Sequence, residues 1–128
     1  MTSRRMLVLL LLLALIAVAG PAGAVGPLDG SYEINLTGDD LAPFKQYLVV
    51  LQNGNQFGMA LLNPEAGFWY YGFGALDDQQ HVTGPILDPT FPEDPQAGQF
   101  DLRFQGGAVT GTITLFDFPL SVSGGKFF

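Results

Sequence analysis

The sequence predicts an all-β fold: an antiparallel up-and-down meander of about eight strands, closed into a barrel or arranged as a related sandwich, behind an N-terminal signal peptide. Three observations carry this reading. In Gly98 to Leu115, Phe100, Leu102 and Phe104 alternate with Asp101, Arg103 and Gln105; after Gly106-Gly107 the alternation resumes with Val109, Gly111, Ile113 and Leu115. Strict alternation around a two-glycine turn is the pattern of a β-hairpin with one apolar and one polar face. A second hairpin signal, Asn53-Gly54, stands between two apolar runs. The third observation is a repeat, in which Val82-Thr83-Gly84 followed by Ile86 recurs as Val109-Thr110-Gly111 followed by Ile113.

The elements follow in order. Arg4 and Arg5, the apolar run Met6 to Ala19 and the small residues Ala22-Gly23-Ala24 form the three parts of a signal peptide over residues 1–24. The run is shorter than a bilayer span requires, and the export route, general secretory or twin-arginine, is open. Residues 25–128 then make one β-barrel-like domain, secreted or periplasmic.

After the loop Gly26 to Gly30, a first strand runs from Ser31 to Thr37, with Tyr32, Ile34 and Leu36 on one side. Asp39, Asp40 and Pro43 make Gly38 to Lys45 a connection that can hold a short, aspartate-capped helical turn. Gln46 to Leu51 and Gln56 to Leu62 are the strands of the Asn53-Gly54 hairpin. A three-residue turn with Asn55 in the left-handed conformation pairs Tyr47 with Leu61, Val49 with Met59 and Leu51 with Phe57. This register gathers most of the large side chains on one face.

Phe68 to Leu76 carries aromatics on both faces, Phe68 and Tyr70 on one and Trp69, Tyr71 and Phe73 on the other. His81 to Leu87 returns, and Pro85 puts this strand at an edge or marks a bulge, because proline cannot donate to a ladder. Asp88 to Gly98 is a proline-stiffened surface loop. The opening hairpin follows, then a turn at Asp117 and Pro119, and a last strand from Leu120 to Phe128. The glycines at positions 84 and 111 sit where closed barrels bend their strands.

With the strand count, the meander order and Gly30-Ser31-Tyr32 in view, the mature chain resembles the lipocalin-like (calycin) group of small secreted barrels. The triplet looks like that group's Gly-x-Trp with tyrosine substituted. The resemblance implies that a basic residue near the end of the last strand packs over this aromatic, and Lys126 is the candidate.

Composition narrows the partners. After cleavage the basic residues are Lys45, Arg103 and Lys126, against all 12 Asp and Glu of the chain. Phosphate backbones and anionic lipid surfaces both need clustered Lys and Arg. No nucleic acid and no membrane is therefore expected as a partner of the mature domain. The chain has no cysteine, which removes disulfides and a lipidated cysteine from the account.

No catalytic constellation is legible, and the chain is read as a non-enzyme. His81 follows Asp77 and Asp78, an arrangement that can make a general base but is more often a solvated turn group. Asp88, Glu93 and Asp94 share the proline-rich loop as candidate oxygen ligands for calcium; no other cofactor is suggested. Tyr47, Trp69, Tyr71 and Phe73 are the candidate ligand-binding residues. Facing inward they would line a lumen for a small apolar ligand; facing outward they would anchor a protein or a glycan; core packing is the third role open to them. The leading expectation is a secreted, non-catalytic binding protein for a small apolar ligand in the barrel mouth. Its competitor is a structural or protein-interaction domain with a packed barrel and an exposed aromatic patch.

Overall fold

A computed structural model describes residues 26–128; the expected signal peptide lies outside them. The described chain is a closed barrel of eight antiparallel strands in sequential order. They are β1 (Gly30–Gly38), β2 (Leu41–Asn53), β3 (Gln56–Asn63), β4 (Phe68–Leu76), β5 (His81–Leu87), β6 (Gln96–Gln105), β7 (Ala108–Leu115) and β8 (Phe118–Lys126). β1 pairs with β8 from Tyr32↔Lys126 to Thr37↔Ser121, so the ladder has no free edge. Closure matters because an open edge strand presents unpaired backbone groups to any other strand.

The alternation read from sequence sets which side chains fill the interior. Tyr32, Ile34, Leu36, Leu48, Val50, Met59, Leu61, Phe100, Leu102, Val109 and Ile113 are buried in one cluster. Rings pack against rings near the β2–β3 turn: Phe57 lies 5.8 Å from Phe100 and 5.5 Å from Phe104, and Tyr32 meets Phe104 edge-on at 5.4 Å. The leader closes this end. Leu28 is buried, its carbonyl accepts a hydrogen bond from the Tyr32 hydroxyl at 2.8 Å, and Asp29 accepts one from the Gln52 amide. Burial, then the Asp29 charge, raises the Tyr32 pKa. Lys126, the register partner of Tyr32, extends its Nζ to the Pro27 carbonyl at 3.5 Å.

Two strands come unusually close to their neighbours at the repeated glycines. Gly111 has φ +143°, and a Cβ there would lie 2.0 Å from the Asp101 carbonyl oxygen. At Gly84 a Cβ would lie 2.0 Å from the Phe73 carbonyl oxygen. Backbones of adjacent strands therefore close to a distance that only glycine allows.

Four sequence expectations are corrected. Gly38 to Lys45 contains no helical turn: the chain reverses over Asp39 and Asp40, and β2 begins at Leu41. The β1–β2 register shifts between Leu36 and Gly38, opposite Ala42 and Pro43. The β2–β3 hairpin turns over Gly54 and Asn55 alone, with Asn53 opposite Gln56. Gly54, at φ +60°, takes the left-handed position expected of Asn55, so the pairs become Tyr47↔Leu62, Val49↔Ala60 and Leu51↔Gly58. Pro85 is on no edge, and the β5–β6 register shift falls just beyond it, between Ile86 and Leu87. The last turn is Phe116-Asp117, both at positive φ, and Pro119 lies within β8.

Candidate functional site

Alternation on β4 decides where its aromatics point. Leu76 is buried among the core residues, so Phe68, Tyr70, Gly72 and Gly74 face inward with it and Trp69, Tyr71 and Phe73 face outward. The glycines are the local cause. A Cβ on Gly72 would come within 2.8 Å of Cε1 of Phe100, and one on Gly74 within 2.6 Å of Cγ2 of Val82. Atoms of neighbouring and opposite strands occupy the space in front of Gly72 and Gly74, and Trp69, Tyr71 and Phe73 are left on the outside.

The outward rings form a continuous ladder. Trp69 and Tyr71 have centroids 5.9 Å apart with planes inclined at 44°, and Tyr71 and Phe73 are 5.7 Å apart at 80°. Register extends the surface sideways in three rows: Tyr47–Leu62–Trp69, Val49–Ala60–Tyr71 and Leu51–Gly58–Phe73. Leu87 borders Tyr71 on the other flank. Ala60 faces outward yet is only 2% exposed, because larger side chains on both neighbouring strands shelter it. Trp69 is 8% exposed, and Phe73, at 38%, is the most open of the three rings.

Of the four aromatic candidates, the structure brings Trp69, Tyr71 and Phe73 into direct contact. Tyr47 lies in the same outer face across Leu62, with its ring 5.9 Å from Phe127. None of the four lines the interior, which corrects the lumen-lining arrangement. Sequence reading missed Val49, Leu51, Leu62 and Leu87 as members of this face. The missed signal was Gly72 and Gly74, on the parity of Phe68 and Tyr70, marking that side of β4 as the crowded one.

The calcium candidates do not converge. Asp88 is buried and its Oδ1 accepts the Thr90 amide at 2.8 Å, while its own amide donates to the Pro95 carbonyl. Glu93 and Asp94 are exposed, and among the described residues no group of three His, Asp or Glu side chains is placed to hold a metal ion. Asp88 thus organises the loop from within.

His81 sits between two carboxylates, Nε2 at 2.6 Å from Asp101 and Nδ1 at 3.6 Å from Asp77. Asp77 Oδ1 also accepts the amides of His81 and Gln79, and these hydrogen bonds, the His81 amide first, hold its carboxyl below the usual pKa. The cluster ties the β4–β5 turn to β6, and both imidazole nitrogens face a carboxylate.

One buried polar atom stands apart. Gln46 is 1% exposed, and among the described residues its Oε1 has no hydrogen-bond partner. On the far wall, Thr83, Pro85, Gln99, Asp101, Thr112 and Thr114 line an open polar groove of about 580 Å³. No protein-family model matches this chain, and no curated protein matches it.

Proposed function

We propose that the protein is a non-catalytic interaction domain whose outer β2–β4 wall binds another protein. The observation that carries this reading is the ladder Trp69–Tyr71–Phe73, continuous with Tyr47, Val49, Leu51 and Leu62 on one face of a barrel whose interior is filled by its own side chains. Aromatic side chains clustered outside a core are the usual anchors of protein interfaces, and contiguous apolar surface of this kind marks a binding face. The asymmetry of the wall supports the same view: Asp101, Arg103, Thr110, Thr112, Ser121 and Ser123 face outward on β6–β8, a surface suited to water. A membrane-spanning barrel would instead carry an apolar band all the way round. A glycan platform is disfavoured by the ring planes, which are inclined at 44° and 80° and offer no common stacking surface.

The lipocalin-like resemblance extends to the closed antiparallel barrel of eight strands. Tyr32 and Lys126 are register partners, and the Lys126 Nζ reaches the Pro27 carbonyl. The packed interior argues against carrying over a carrier role.

The test is site-specific crosslinking in the producing cell. A photoreactive phenylalanine analogue replacing Tyr71 is expected to capture protein adducts that the same analogue replacing Thr112 does not. Equal adducts from both walls would refute the reading, as would a small apolar molecule that copurifies with the protein and whose removal shifts Trp69 emission.

A further inference from the structure

We infer that the occupant of the β2–β4 wall is an amphipathic helix with apolar side chains along one face and lysine or arginine at both ends. This rests on the interaction reading and adds the chemistry of the partner.

Charge around the wall supplies the first argument. Beyond the Trp69 end lie Glu65 in the β3–β4 turn and Glu93 and Asp94 in the β5–β6 loop; beyond the Phe73 end lie Asp77 and Asp78. All five are exposed. Lys45, which continues the outer face of β2 beyond Tyr47, is paired with Glu33 at 2.9 Å. Among the described residues the apolar stripe thus has exposed carboxylates beyond both ends, with Arg103 and the Asp77 partner His81 set back on β6 and β5 at the Phe73 end, and a partner with basic ends complements it. A second copy of the chain would bring the same acidic ends and the same net charge of -7, from 12 carboxylates against five basic residues. An anionic membrane would be repelled by them.

Backbone chemistry supplies the second argument. Closure leaves no edge strand, so an extended peptide has no ladder to join and would leave its own backbone groups poorly satisfied. A helix satisfies its backbone internally and docks through side chains alone. β4 spans about 27 Å over its eight steps at about 3.4 Å per residue, which a helix of about 18 residues matches at about 1.5 Å per residue.

Trp69 is the sole tryptophan, so intrinsic fluorescence reports on this wall directly. The probe is an 18-residue tryptophan-free peptide with leucine on one helical face, alanine elsewhere and two lysines at each end. Two controls replace lysine by glutamate, or leucine by serine. The lysine peptide is expected to shift Trp69 emission saturably and to bind at least about ten-fold more tightly than the glutamate peptide at 50 mM salt. The preference should shrink at 500 mM, where the screening length is a few ångströms. Tyr71→Ser with Phe73→Ser should abolish binding, whereas Glu65→Gln, Asp78→Asn and Glu93→Gln together should reduce only the lysine preference.

Equal binding of the lysine and glutamate peptides would overturn the charge assignment and leave the interaction face standing. Binding of the serine peptide as tightly as the leucine peptide would overturn the face itself. The inferred occupant would also be wrong in three further cases: no saturable change with any peptide at 100 μM, a dimer in sedimentation whose dissociation shifts Trp69, or a shift produced by phosphatidylcholine vesicles but by no peptide.

Discussion

Gly111→Ala is the sharpest test of how this barrel closes. Gly111 sits in the middle of β7 at φ +143°, and the new methyl would lie 2.0 Å from the Asp101 carbonyl oxygen and 3.0 Å from the Leu102 Cα. Those atoms are backbone and cannot swing aside without separating β6 from β7. Holding a non-glycine residue in such a conformation costs about 1–3 kcal/mol, and forcing an extra carbon into packed structure costs about 1–3 kcal/mol more. The sum, about 2–6 kcal/mol, is a large part of the roughly 5–15 kcal/mol that stabilises an ordinary domain. Each kilocalorie lowers the melting temperature of a domain this size by about 4–8 °C, so a fall of about 10 °C or more is expected in thermal unfolding followed by far-UV circular dichroism. Gly106→Ala is the matched control. It too has positive φ, +58°, but nothing lies within 4 Å of the added carbon, and its cost is the conformational part alone, about 1–2 kcal/mol. If the two variants melt together, or Gly111→Ala melts within 2 °C of the parent, the close approach is not what makes glycine necessary there.

Three further outcomes are expected. Gln46→Leu removes a buried acceptor that has no partner among the described residues. An unsatisfied buried polar group costs about 1–3 kcal/mol, so the variant should have a higher urea midpoint than the parent, and a lower one would show that Gln46 is satisfied. Tyr71→Ser with Phe73→Ser trims rings that stand outside the core, so its melting temperature should stay within a few degrees of the parent, whereas Phe100→Ala, inside the barrel, should cost about 3–5 kcal/mol. Asp77 has a folded pKa below its unfolded value. Its contribution to stability is fully present above about pH 4 and is lost as pH falls through the folded pKa. Asp77→Asn should flatten the fall in melting temperature between about pH 4 and pH 2; an unchanged slope would assign that acid sensitivity to other carboxylates.

Much of the barrel was legible because its strands state their own period. Phe100, Leu102 and Phe104 against Asp101, Arg103 and Gln105 define both a strand and its inner face, and all three apolar residues are buried. The candidate site was only half legible. Trp69, Tyr71 and Phe73 could be assigned to one face of one strand, but not to the inside or the outside, since the other face of β4 also begins with aromatics. The calcium candidates share a loop in sequence, yet Asp88 turns inward to the Thr90 amide while Glu93 and Asp94 point to solvent.

The sequence by itself determined the all-β class, the meander order, the strands around Gly106-Gly107 and the acidic, cysteine-free composition. These follow from local alternation, turn chemistry and counting. Only the tertiary structure decided the β2–β3 register and the side from which Trp69, Tyr71 and Phe73 are seen. The physical reason is that side chains alternate with a period of two: a one-residue slip or an inside–outside inversion leaves the local pattern intact and exchanges every face. What breaks that degeneracy is contact across the closed barrel, where Phe100 and Val82 fill the space in front of Gly72 and Gly74 and leave the aromatic ladder outside.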